Sequence, residues 1–154
     1  MLISDEYIAG FFDGEGCINI TVVGAAKQVA LRVYITNSNK EVLTAIKDKY
    51  GGTISAIQHK INWKISYLLT FHGIIAEKFL RAIGLSLIVK REQVKLAFEF
   101  LDYMKRKDRL KVIYKEIRYN KFRAVKVRKP ETILKELEYK ERMHELNRKG
   151  VTCQ

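Results

Sequence analysis

Two carboxylates one residue apart, set among glycines, are the residues of this 154-residue chain best suited to chemistry: Asp13-Gly14-Glu15-Gly16. They follow Tyr7-Ile8-Ala9-Gly10-Phe11-Phe12, in which small Ala9 and Gly10 sit beside large apolar side chains. A carboxylate next to a main-chain carbonyl is an oxygen-rich point suited to Mg2+. Gly14 and Gly16 are expected to free the backbone around Glu15 for unusual dihedrals. Small residues at 9 and 10 would let two helix backbones approach closely. The same residues also read as a helix ending in an acidic, glycine-rich turn before a strand, and spacing alone leaves both readings open. His59, His72 and His144 show no ligand spacing and no partner acid, and no Ser-His-Asp or Cys-His constellation is visible.

The second chemical feature is charge. Of the net +12, residues 1–102 carry +2, residues 103–130 carry +10 and residues 131–154 carry none. In the middle segment Tyr103, Tyr114, Tyr119 and Phe122 interleave with Lys and Arg, the composition of a phosphate-binding surface. A solvated helix face is the alternative. Such faces mix signs, however, and this segment sets 12 basic residues against 2 acidic ones. With 47% hydrophobic residues there is material for a core, while 9 Gly and 1 Pro exclude collagen-like and Pro/Gly-rich disordered classes. Apolar runs are far short of the roughly 20 residues that span a bilayer, and the amino terminus is acidic, so neither a membrane span nor a secretory signal is expected. Cys17 and Cys153 form no disulfide framework and no CxxC pair, so an intracellular, reducing compartment is the expectation.

The elements that must position these residues can be read along the chain. Ser4 followed by Asp5 and Glu6 starts a helix that stops near Gly14 and Gly16. Ile18, Ile20 and Val22 alternate with polar neighbours as in a half-buried strand, and Val29, Leu31, Val33 and Ile35 repeat the pattern, which predicts a hairpin. Ser38-Asn39-Lys40-Glu41 reads as a capping box opening a second helix that ends at Gly51. Two more strands follow, the second placing Trp63, Ile65, Tyr67, Leu69 and Phe71 on one side. Helices are predicted at about 74–83 and 90–104. The basic segment is expected to be partly helical, and Pro130 precedes a last helix at about 131–148. The order α-β-β-α-β-β-α-α predicts an α+β fold: an antiparallel four-stranded sheet with helices on one face and polar residues on the other. That polar face comprises Asn19, Thr21, Gln28, Arg32 and Tyr34, joined by Ser55, Lys64, Ser66 and Thr70. It is either a solvated face or a set of groove contacts, in which Gln and Asn suit adenine and Arg suits guanine.

The tract Ile8-Ala9-Gly10-Phe11-Phe12-Asp13-Gly14-Glu15-Gly16 resembles the LAGLIDADG motif of homing endonucleases and related intron maturases across all nine positions. The α-β-β-α-β-β-α order over about residues 5–104 is similar as well. The resemblance implies a homing-endonuclease-like fold with a curved antiparallel four-stranded sheet laid into the DNA major groove, helices on one face and extra C-terminal helices. The expected division is an endonuclease core at 1–104 and a basic C-terminal helical extension at 105–154 packed on it.

Carried over by position, the resemblance implies that Glu15 binds metal, with the Gly14 carbonyl as a further ligand, and that Asp13 has a less direct, turn-stabilising role. Lys90, with Arg91 as its neighbour, fits the family's basic residue beside the active site. Asn37 fits the polar position that orders water, although asparagine before a helix cap is also good turn chemistry. Ala9, Gly10 and Phe11 map to a helix–helix contact between halves. Only one copy of the motif is present, so double-strand cutting needs a homodimer and a palindromic or nearly palindromic target. The implied cofactor is Mg2+, with Mn2+ or Ca2+ able to occupy the site; the implied partner is double-stranded DNA, cut to leave short 3′ overhangs, with no membrane. Organellar, archaeal and bacterial hosts all fit. The alternative is a non-cleaving nucleic-acid-binding protein on the same scaffold, an RNA maturase or a regulator.

Overall fold

The computed structural model describes residues 3–25, 27–58, 64–118 and 121–149, without the side chains of 117, 118, 122 and 149. Trp63, His59, Tyr119 and Cys153 therefore lie outside the described residues, as does the Phe122 side chain. The order is α1 (Asp5–Glu15), β1 (Gly16–Val23), β2 (Gln28–Asn37), α2 (Lys40–Tyr50), β3 (Thr53–Ile57), β4 (Ser66–His72), α3 (Gly73–Ile83), α4 (Arg91–Lys105), β5 (Leu110–Arg118), β6 (Lys121–Arg128) and α5 (Pro130–Lys149).

Helix α1 starts where Ser4 accepts the Tyr7 N–H at 3.2 Å, which satisfies one of the first-turn donors. Helix α2 departs from the expected capping box: its cap is Asn39, whose side chain accepts from the N–H of Glu41 and of Val42. The four strands pair antiparallel in the order β1-β2-β4-β3. Their alternation sends Ile18, Ile20, Val29, Leu31, Val33, Ile35, Leu69 and Phe71 into one core with Ile8, Phe12, Leu43, Ile46, Phe79 and Phe100 from the helices. Phe79 is the centre of an aromatic cluster, stacked on Phe71 at 4.2 Å and edge-on to Phe12 and Tyr50, each at 5.3 Å. Val22 and Ile65, expected in the core, are exposed, because one nears the end of β1 and the other precedes β4.

Helix α5 begins at Pro130, where a missing N–H costs nothing. It buries Tyr139 and Met143 and covers the free edge of β1, with the Asn147 amide donating to the Ile18 carbonyl at 2.9 Å.

The expectation of partial helix across the basic segment is corrected by the structure. Residues 110–118 and 121–128 form a two-stranded antiparallel ribbon, a sheet of its own. The physical reason lies in Val112, Ile113, Tyr114, Val125 and Val127: β-branched and aromatic residues suit extended backbone better than a helix interior. No helix among the described residues is long and apolar enough to cross a membrane.

Candidate active site

Helix α1 ends against the start of β1, and its last carbonyls have no partner further along the helix, so this end carries the negative pole of the dipole. Glu15 stands there exposed, with Gly14 exposed before it. Asp13 points the other way. Its carboxylate accepts the N–H of Ile88 at 2.6 Å, of Val89 at 3.1 Å and of Lys90 at 3.1 Å, pinning the turn that leads into α4 to the end of α1. Lys90 is the residue before that helix, and its ammonium folds back to donate to the Asp13 carbonyl. Asp13 thus has the turn-stabilising role, and it brings Lys90 beside Glu15 from 75 residues away in the chain. Burial pulls the Lys90 ammonium below the ordinary lysine value, opposed by the charges of Asp13, Cys17 and Glu15. Arg91 lies exposed in the first turn of α4.

The glycines act differently from expectation. Neither Gly14 nor Gly16 has a positive φ. Gly16 is demanded by space, because a Cβ there would lie 2.2 Å from the Phe12 ring. Around Gly10 and Gly14 an added Cβ would meet nothing within 4 Å, so this subunit makes no use of their smallness. Ala9 is corrected as a docking residue: it is 1% exposed in its own core. The outward stripe of α1 is instead Tyr7, Gly10, Phe11 and Gly14, at helical spacing, with the Tyr7 and Phe11 rings stacked at 6.3 Å.

Asn37 ends β2 at the same end of the sheet, since the β1–β2 register opposes Gly16 to Ile35. Its Oδ1 accepts the Asn39 N–H at 2.8 Å, which is the turn role, in a side chain that is half-buried. Opposite Tyr34 in the register sits Cys17; its thiol, followed by burial, pushes the Tyr34 hydroxyl up to about 12, so the phenol keeps its proton. Cys17 was not singled out by the sequence as a neighbour of the site; only the β1–β2 register and the fold of Lys90 bring it there.

The face of the sheet away from the core carries Asn19, Thr21, Gln28, Arg32, Tyr34, Ser55, Ser66 and Thr70, as the alternation predicted. Lys64 is exposed just before β4 rather than within it. The face also includes His72, which sequence reading set aside although the period-two count Ser66, Leu68, Thr70, His72 reaches it. His72 pairs with Arg32 in the register, and the Arg32 guanidinium lies 3.1 Å from its Nδ1. Burial, then the Arg32 charge, hold this imidazole below its ordinary 6.5, so it is neutral at pH 7 and accepts from Arg32.

The donor chemistry at the α1 terminus fits a hard divalent cation: a free carboxylate and main-chain carbonyls at a negative helix pole are the oxygen ligands that Mg2+ and Ca2+ take. Among the described residues no group of three or more His, Cys, Asp or Glu side chains gathers to hold a metal.

A family model described as LAGLIDADG endonuclease matches residues 8–83. No curated protein matches the sequence. Among solved structures, the archaeal intron-encoded homing endonuclease I-Vdi141I complexed with DNA is similar with a TM-score of 0.68 at 18% identity, over 92% of this chain and 82% of that one. The homing endonuclease I-CvuI in complex with its target in the presence of Ca gives 0.64 at 20% identity, over 92% and 80%. The homing endonuclease I-TnaI gives 0.64 at 19% identity, over 97% and 99%. The family match spans the acidic end of α1 and all four strands of the sheet, so residues 8–83 match the LAGLIDADG endonuclease family, on a fold that these solved homing endonucleases share.

Proposed function

We propose that the protein is a homodimeric, site-specific DNA endonuclease that hydrolyses one phosphodiester in each strand of a long palindromic or pseudo-palindromic target, with a divalent metal. The observation that carries this reading is the pairing of an exposed Glu15 carboxylate, at the negative end of α1, with the half-buried Lys90 ammonium that Asp13 anchors beside it. A carboxylate on a basic protein's phosphate-facing side repels DNA unless a cation intervenes, so a binding module has no use for it. Glu15 and the Gly14 carbonyl are the groups that would hold the ion, whose chemistry when bound is to neutralise phosphate charge and acidify a water. DNA complexes of a solved neighbour were prepared with Ca and with Mg, which supports a divalent ion as the metal.

The chain's own groups do the rest. Lys90 offers a cation to a non-bridging phosphate oxygen or holds the attacking water, and its position is set by the carbonyl and carboxylate of Asp13. Asn37, its Oδ1 committed to the turn, keeps its amide hydrogens to donate towards solvent at the same end of the sheet. The sheet face from Asn19 and Thr21 to Arg32, Ser66 and Thr70 reads bases, and neutral His72 holds the Arg32 guanidinium in place as it does so. Two copies are required because one chain carries one such site. The exposed Gly10 and Gly14, unused within the subunit, suit close approach of a second α1.

The test is a duplex joining the host sequences on either side of the reading frame, incubated with the protein and Mg2+ or EDTA. Double-strand cuts in Mg2+ alone are expected. Tight binding without cuts under any metal would return the reading to a non-cleaving maturase or regulator.

A further inference from the structure

The geometry points to a role for the β5–β6 ribbon: it is a sequence-independent arm that grips duplex phosphates outside the stretch covered by the four-stranded sheet. This rests on the endonuclease reading and adds a partner surface that the catalytic residues do not require.

The ribbon's place comes first. Its base is tied to the far end of the sheet from Glu15, where the Arg128 guanidinium donates to the Lys27 carbonyl in the β1–β2 turn at 3.1 Å. Strand β1 runs from the active site to that turn over 8 residues, a span of roughly 25 Å at the usual rise, or about 7 base pairs of duplex. The attachment is rigid. Glu136 on α5, fully buried, takes Arg109 at 3.1 Å and Arg128 at 2.8 Å, one from each side of the ribbon's base. The Arg109 carbonyl accepts from the Lys129 N–H and the Thr132 hydroxyl.

Beyond that clip the ribbon projects uncovered, with Val112 54% and Tyr114 73% exposed. An isolated two-stranded ribbon is at best marginally stable in water, so a clipped and projecting one is suited to closing on a partner. The chemistry of that partner is given by charge. Lys111, Lys115, Lys121, Arg123 and Lys126 have no ion-pair partner among the described residues, while Glu116 is the lone acidic residue of the two strands. The register puts Lys111, Lys115 and Arg123 on one face of the ribbon and Lys126 on the other, and cations on both faces suit a polyanion with charge along both walls of a groove. The two strands contain no Asn or Gln, the amides that read adenine, Arg128 is held by Glu136 and the Lys27 carbonyl, and four of the five cations are lysines, compact point charges that position rather than specify. It also adjoins the groove-facing surface, because Gln28 at the start of β2 shares a cleft with Lys126 and Arg128.

The test compares the full chain with a variant carrying Lys111→Ala, Lys115→Ala, Arg123→Ala and Lys126→Ala, and with the same four positions set to arginine (Arg123 unchanged), by hydroxyl-radical footprinting and salt titration on the joined-flank duplex. The alanine set is expected to lose protection over several base pairs at both outer ends while the centre stays protected. Its plot of log affinity against log salt should be shallower by about 3 to 4 units, near one for each phosphate that is no longer neutralised. The arginine set should match the parent, and randomising the outer base pairs should leave parent affinity unchanged. An alanine variant with the parent's footprint and slope would overturn the inference, as would outer bases that alter affinity or an arginine set that loses the outer protection. A parent that protects no defined site at all would instead overturn the endonuclease reading beneath it.

Discussion

The end of α1 and the base of the β5–β6 ribbon both set carboxylates against cations, yet the two arrangements are opposite in kind. At the ribbon base, fully buried Glu136 is consumed by two guanidiniums, and no carboxylate oxygen is left over for a ligand. At the end of α1 the labour is divided between neighbours. Asp13 is spent on three N–H groups and on placing Lys90, which leaves Glu15 exposed and uncommitted. A carboxylate whose charge is already matched is structural; one held at a negative helix pole without a partner needs a cation from outside. The basic residues show the same contrast, since Lys90 is half-buried and held by the α1 terminus while the ribbon's lysines stand free in solvent.

The contrast can be broken most decisively at Glu15. Because the side chain is exposed and has no hydrogen bond or ion pair among the described residues, Glu15→Gln should abolish metal-dependent cutting while leaving the melting temperature and DNA affinity near the parent's. Equal loss of cutting and of folding would make it structural after all. At Glu136 the opposite is expected. Glu136→Gln leaves two guanidiniums facing an uncharged amide in a buried place and should cost about 3–5 kcal/mol in denaturant unfolding, whereas replacing Glu136, Arg109 and Arg128 together by leucine and methionine should recover most of that.

A smaller effect sharpens the account of the α1 terminus. Gly16→Ala places a Cβ 2.2 Å from the Phe12 ring and should cost about 1–3 kcal/mol by overpacking. Adding Phe12→Leu should relieve part of the loss, whereas Gly14→Ala should leave subunit stability little changed and show its effect only in dimer formation. The smallest effect is at the other end of the helix. Hydrogen bonds from Lys49 and from Tyr50 hold the Asp5 carboxyl below its ordinary 3.8. The folded value lies below the unfolded one, so this stabilisation is whole above the ordinary value and is lost as pH falls through 3.8 towards the folded value. Asp5→Asn should therefore flatten the acid limb of a urea-midpoint profile and leave the neutral plateau lower by a small amount, because the Lys49–Asp5 pair is more than a third exposed.

Much of this was legible in the sequence, and for local reasons. The cap at Ser4, the period-two strands and the acidic glycine-bracketed tract are each set by neighbours within a turn or a strand, so the order of elements as far as α4 and the core side of the sheet could be read directly, whereas the prominence of Glu15 over Asp13 came from the resemblance. The ribbon was misjudged because its charge pattern dominated the reading while its β-branched residues carried the conformational signal. Ala9 was misplaced for a related reason: smallness marks close packing without saying whether the neighbour is one's own core or another subunit. His72 was passed over because a lone histidine means little until the strand register sets it beside Arg32.

Local preference along the chain thus determined which residues as far as α4 are helical, which are extended and that two carboxylates stand at a helix end, because those outcomes depend on interactions a few residues apart. Only the tertiary structure decided that Asp13 reaches across 77 residues to fix Lys90, that Cys17 faces Tyr34, and that Glu136 fastens a charged ribbon to the far end of the sheet. Those pairings join elements distant in sequence, and their energy comes from excluding water around partners that local propensity cannot identify.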